Sequence, residues 1–100
     1  MHHMRLDPYL LDVLLRDLAG HDHRPSAFIV YLCLWCRTFG VSQRSVSLSL
    51  QQLAEATGLS KSGVQAALRH LLRRKLLRIH HPAPTAVPEY FVLRPWSARR

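Results

Sequence analysis

Apolar residues along this chain fall first into helical rows and later into short alternating runs. Asp7-Pro8 opens the first row, with Asp suited to the N-cap and Pro to the first helical position. The pattern predicts a helix running to about Ala19, where Gly20 ends it. Its apolar members, Tyr9, Leu10, Leu11, Val13, Leu14, Leu15 and Leu18, cover more than one face. Asp12, Arg16 and Asp17 fill the small polar remainder. A helix that apolar needs two packing partners, either two neighbours in the same chain or one in another chain. Residues 21–24 make a polar loop, and Pro25-Ser26 starts a second helix ending near Phe39-Gly40. Ala27 to Cys36 is apolar nearly all round, so this helix is predicted to be the most buried.

From Ser49 to Leu72 the pattern is sharper. Ser49 with Gln52 three residues on is a capping box, which starts a helix at about Leu50. Leu53, Ala54 and Thr57 share one face, with Gln51, Gln52 and Glu55 on other sides. Gly58 stops this helix, because glycine takes the left-handed C′ conformation without a Cβ clash. Leu59 plugs the corner and Ser60 can cap the next helix. There Val64, Ala67, Leu68, Leu71 and Leu72 form an apolar stripe opposite Ser62, Gln65, Arg69 and Arg73. The alternating runs lie on either side of this helix pair. Ser45 to Leu48 reads as a short first strand, Leu76 to His81 as a second, with Leu77 and Ile79 on one face, and Glu89 to Arg94 as a third. Pro82, Pro84 and Pro88 exclude a regular strand between the last two and favour an extended loop. Pro95 closes the third strand, and the tail from Trp96 ends in Arg99 and Arg100.

The Ser49–Leu72 segment resembles the helix-turn-helix of the winged-helix family. Small Ala54 stands where the helices cross, Gly58 at the turn, and Leu53, Leu59, Val64 and Leu68 where that family buries apolar residues. RRKLLRI, the proline-rich stretch and EYFVLRP resemble its two-stranded wing. The resemblance covers roughly Ser45 to Pro95, about half of the chain. It implies a mainly α fold with a small β wing, a winged helix-turn-helix preceded by two N-terminal helices. Residues 1–100 would then be one domain, with the helix-turn-helix at about 49–74 and the wing at about 76–94. In that fold the second motif helix enters the DNA major groove while the first crosses the backbone. The family implies two settings: a small dimeric transcriptional regulator, which is the expected role, or the DNA-binding module of a plasmid or phage replication initiator. A winged helix used for protein docking is a further alternative, and fold alone does not separate them.

Charge strengthens the expectation of a polyanionic partner. A chain 48% hydrophobic and 20% charged reads as globular rather than disordered. Its net charge of +8 is divided unevenly: residues 1–50 hold five Arg and four Asp, whereas residues 51–100 hold nine Lys or Arg and two Glu. Lys61 to Arg78 includes six basic residues and no acid. Such asymmetry favours nucleic acid before a membrane, the plain alternative being a solvated basic face. The longest apolar run, Ala27 to Cys36, is too short to span a bilayer, and no secretory signal is visible. Two cysteines without an export signal predict reduced thiols and a cytoplasmic protein. His2 and His3 are left out of the functional argument.

Candidate chemistry concentrates on the second motif helix. Lys61, Ser62, Gln65 and Arg69, with Ser60 at the cap, occupy its exposed first turns, where a recognition helix meets base edges. Gln can bond adenine and Arg guanine in bidentate fashion. Ser62 with Gln65 is also a possible capping box, which would make Gln65 structural. Gly63 and Ala66 are smaller than the family pattern, leaving fewer reading side chains. Arg73, Arg74, Lys75 and Arg78 come late in the helix or beyond it and suit phosphates, or complement the helix C-terminus. No Lys or Arg lies between Arg78 and Arg94, so the wing tip offers no minor-groove arginine; His80 and His81 could touch phosphate. Cys33-Leu34-Trp35-Cys36 is a C-x-x-C inside a helix, with no second pair and no histidine near it in sequence. Buried cysteines filling a core are expected there, with zinc binding or redox sensing as the lesser alternative, and no metal or other cofactor is expected. The six acids form no pair and the chain has no phosphate loop, so no enzyme is expected. The surplus apolar surface of Tyr9–Leu18 and Ala27–Cys36 predicts a homodimer through the N-terminal helices. The alternative is a monomer in which the first helix lies across the second.

Overall fold

The computed structural model describes residues 4–97; His2 and His3, and the terminal Arg99 and Arg100, lie outside the described residues. The helix Pro25–Cys36, α1, is the element on which the others pack. Pro25 sits at its first turn, where a missing N–H costs nothing. Ala27, Phe28, Val30, Tyr31, Leu34 and Trp35 are buried, as the all-round apolar run predicts. The helix stops at Cys36, short of the expected Phe39-Gly40. Thr38 leaves helical geometry at φ −124, and its hydroxyl donates to the Leu34 carbonyl at 2.8 Å, taking up one of the orphaned acceptors. Phe39–Val41 then forms a separate 3₁₀ turn.

The N-terminal helix departs further from expectation. Asp7 accepts a hydrogen bond from the Tyr9 N–H at 2.9 Å, as an N-cap should. The chain then forms two π-helical stretches, Leu10–Leu14 and Arg16–His21, joined through Leu15. Gly20 lies inside the second stretch and does not end it. The end is made by bonds from Asp22 N–H to Asp17 O and from Arg24 N–H to Leu18 O, both 2.8 Å, with His23 at φ +55 turning the chain. Leu10, Leu14 and Leu18 form a buried row in the core shared with α1, while Leu11 and Leu15 stay 51% and 38% exposed.

Helices α2 (Leu50–Thr57) and α3 (Lys61–Arg73) follow the sequence closely. Ser49 Oγ accepts from Gln52 N–H at 3.1 Å and the Gln52 side chain accepts from Ser49 N–H at 2.8 Å, the reciprocal box. Gly58 takes φ +77 while its N–H reaches back to Ala54 O at 2.9 Å. Thr57 braces the corner, donating to Leu53 O at 2.7 Å and accepting from Leu59 N–H at 3.3 Å. On α3, Val64, Ala67, Leu68 and Leu71 are buried. Leu72, expected among them, is exposed, because it lies at the edge of the stripe that Val64 and Leu68 begin.

Three short strands complete the fold: β1 (Val46–Ser47), β2 (Leu77–His80) and β3 (Glu89–Val92). The sheet is antiparallel in the order β1–β3–β2, so the stretch expected to pair with the hairpin does so. Val92 opposes Leu77, and Tyr90 opposes both Ile79 and Val46. Leu77, Tyr90 and Val92 thus bury one face of the sheet. The Tyr31 hydroxyl on α1 donates to Leu93 O at 2.7 Å, tying the helix to the strand exit, and burial pushes that phenol well above its ordinary pKa. The two ends of the described chain meet: Trp96 stacks on Tyr9 with ring centroids 4.3 Å apart, and its indole N–H donates to Asp7 at 3.0 Å. The whole is mainly helical with a small three-stranded antiparallel sheet. No helix among the described residues is long and apolar enough to cross a membrane.

Candidate nucleic-acid interface

α3 begins at a side-chain cap. Ser60 Oγ accepts from Gly63 N–H at 3.0 Å, so the cap is Ser60 and not Ser62. Gly63 is matched to this cap: a Cβ there would lie 3.2 Å from Ser60 Oγ. Its small size therefore serves the turn. Gln65 takes no part in a capping box and is exposed, which leaves it free for other partners. Lys61, Gln65, Arg69 and Arg73 recur at four-residue spacing and form one exposed row, with Ser62 beside it, opposite the buried stripe. The structure thus brings together five of the expected contact residues on one helix face, with Ser60 at its head.

Of the remaining cations, Arg78 lies on the outer face of β2, its guanidinium 4.2 Å from the Phe91 ring centroid and exposed to solvent. Lys75 is exposed in the left-handed turn that leads α3 into β2, at φ +58. Arg74 is placed differently. It was expected to meet phosphate, but it turns inward, its Nη2 3.0 Å from Asp17 Oδ2 and its Nη1 bonded to Asp22 Oδ2. Part of its hydrogen-bonding capacity is thereby held within the fold, which sets it apart from the cations that have no acid partner.

Asp22 is the hub of this cluster, with a side chain only 9% exposed. His70 Nε2, at 13% side-chain exposure, lies 2.7 Å from Asp22 Oδ2, and His21 Nδ1 lies 3.0 Å from Oδ1. With the His70 proton on Nε2, its Nδ1 is left to accept from Arg73 Nη2 at 3.2 Å. Burial alone would raise the Asp22 carboxyl. The hydrogen bonds from His21 and His70, with the charge of Arg74, outweigh it and lower the pKa to about 2. For Arg74, burial opposes the charged form, and the two carboxylates more than restore it, so its pKa is raised. The cluster fastens the end of the N-terminal helix to the end of α3. It joins positions 48 to 57 residues apart, and no local pattern announces it.

Among the described residues, ion pairs occur only in this cluster. Lys61, Arg69, Arg73, Lys75 and Arg78 have no acid partner, so their charge faces solvent uncompensated. Three of the four other carboxylates are engaged elsewhere, Glu55 with Gln51 at 2.8 Å, Glu89 with Ser45 at 2.5 Å and Asp7 with Trp96, while Asp12 is exposed on the N-terminal helix. His80 and His81 are exposed at the hairpin.

Cys33 and Cys36 are free thiols, and contrary to expectation they are half-buried rather than part of the core. Their side of α1 borders an open cavity, while Cys33 also packs against the core. Burial pushes both thiols up, and Arg37 beside them offsets this only in part. No group of three or more His, Cys, Asp or Glu among the described residues is arranged to hold a metal ion. The chain matches no family model, no curated protein and no solved structure.

Proposed function

We propose that this protein binds double-stranded DNA as a winged helix-turn-helix, with α3 in the major groove, α2 across the backbone and the β2–β3 hairpin as the wing. Its role is that of a cytoplasmic transcriptional regulator without catalytic activity. The observation that carries this reading is the exposed row Lys61, Gln65, Arg69 and Arg73, opposite the buried stripe of α3, with no carboxylate paired to its cations. Gln65 and Arg69 sit where base edges would be met, and both have the donors for bidentate readout. Lys61, Arg73, Lys75 and Arg78 are suited to phosphates, which position a protein without reading sequence.

The protein acts as a homodimer through its N-terminal helices in this proposal. Leu11 and Leu15 support it: full burial of such a side chain gains about 1.5–3 kcal/mol, and at 51% and 38% exposure roughly half of that or less is still to be gained at each. A twofold axis beside them would set two α3 helices about one DNA turn apart, roughly 34–36 Å. The Asp22 cluster would make that spacing rigid, because it locks the dimerising helix to α3.

Titration with random duplex DNA at several salt concentrations tests the reading. Five uncompensated cations predict that log K falls with log salt at a slope of about −4 to −5. A slope near zero, or no binding at low salt, would refute DNA binding and favour a protein-docking module.

A further inference from the structure

Between α1 and the last turn of α2 lies an open cavity of about 290 Å³. Ile29, Leu32 and Thr57 line it, and Cys33, Cys36 and Arg37 give it a polar side. The cysteines are three residues apart on α1, a spacing that puts Cβ atoms about 5–6 Å apart on one helix face. One ion can bridge sulfurs carried at that separation. Both thiols are free and partly accessible, and they are the only cysteines of the chain. Arg37 donates to Cys33 Sγ at 3.3 Å. Among the described residues, no histidine or carboxylate lines the cavity.

This donor set is selective. Two soft sulfurs without a carboxylate do not suit magnesium or calcium, which take several oxygen ligands. A structural zinc site needs four donors, and no third His, Cys, Asp or Glu joins the pair among the described residues. A soft closed-shell monovalent ion is satisfied by two thiolates alone. The resulting bis-thiolate complex carries one negative charge, and the Arg37 guanidinium is placed to offset it.

We propose that Cys33 and Cys36 form a two-thiolate binding site for Cu(I). Each thiol releases its proton to solvent and each sulfur donates a lone pair to the ion, so the metal and the sulfurs keep their oxidation states and no oxidant is required. The site goes beyond DNA binding and stands on separate observations. Through Thr57 it adjoins the Gly58 turn that leads into α3.

The reduced full chain, titrated with Cu(I) under nitrogen against a chromogenic Cu(I) chelator, provides the test. The expected result is one Cu(I) per chain held against the chelator, with a near-ultraviolet thiolate-to-copper absorption band. Cys33→Ser and Cys36→Ser should each abolish retention, and Arg37→Gln should weaken it. Bound Cu(I) should also protect both thiols of the unaltered protein from alkylation, a measurement that needs no variant to fold. Surrender of the copper to the chelator would mean an adventitious ion only. That outcome, serine variants that retain copper, or thiols alkylated at the same rate with and without copper would each overturn the site.

Discussion

Replacing Asp22 by Asn keeps the shape of the side chain and removes the charge on which His70, Arg74 and His21 converge. In the folded protein burial works against this carboxylate, and its hydrogen bonds and Arg74 prevail, taking its pKa from 3.8 to about 2. A carboxylate depressed in this way stabilises the fold at every pH above about 3.8. The contribution is lost as pH falls through about 2. With each pKa unit equivalent to about 1.4 kcal/mol, the charge is worth about 2.5 kcal/mol at most. Arg74 is 33% exposed and keeps Asp17, so screening and the surviving pair leave a loss of about 1–2 kcal/mol. One kcal/mol moves the Tm of a domain this size by about 4–8 °C, so Asp22→Asn should melt at least about 4 °C lower at pH 7. Thermal unfolding followed by circular dichroism at pH 7, 4 and 2 checks this. The wild type should keep its advantage at pH 4 and converge on the variant toward pH 2. Parallel losses in the two proteins across that window would show that the Asp22 charge does not hold the N-terminal helix to α3.

Other substitutions separate the remaining roles. Arg69→Ala should relax preference at one base position, at a cost of about 1–3 kcal/mol there, whereas Lys75→Ala should weaken all duplexes alike and reduce the salt slope by about 1. Identical behaviour of the two across a panel of duplexes would abolish the division between reading and positioning residues. Gly58→Ala meets open space but must hold φ +77, so urea unfolding should show a loss of about 1–2 kcal/mol from backbone conformation alone; unchanged stability would contradict that assignment. Leu11→Asp should turn a dimer into a monomer in sedimentation equilibrium and lower Tm only by what the dimer contact contributed, whereas Leu14→Asp, at a buried position, should unfold the chain. A wild type already monomeric at micromolar concentration would remove the dimer.

The features legible in the sequence are those settled within a few residues of one another. Ser49 and Gln52 are three apart, Gly58 needs only its own backbone, and the α3 stripe repeats within each turn. The coarse fold, helices with a small antiparallel sheet, follows from such local signals. The pairing of Arg74 is not legible because its partners arrive from the first helix, 52 and 57 positions away, and nothing in α3 distinguishes it from Arg73. Cys33 and Cys36 were misread for a related reason. An all-round apolar helix suggests full burial, but whether every side finds a neighbour depends on where α2 ends, and Thr57 stops short of covering them. Gly20 illustrates the limit of a composition rule: glycine permits a helix end, but the bonds from Asp22 and Arg24 set where it falls.

The clasp of Tyr9 and Trp96 imposes an order of assembly. The Asp7–Trp96 hydrogen bond closes a loop of 89 positions, so a chain made from its N-terminal end cannot form it until all three helices α1 to α3 and the sheet have been synthesised. The entropy of closing so long a loop is recovered only once the intervening helices and strands have shortened the path between its ends. Until then the row Leu10, Leu14 and Leu18 is held against α1 without its lock. The nascent protein therefore carries an apolar row of leucines in its least secured state, within reach of a chaperone or of another unfinished copy.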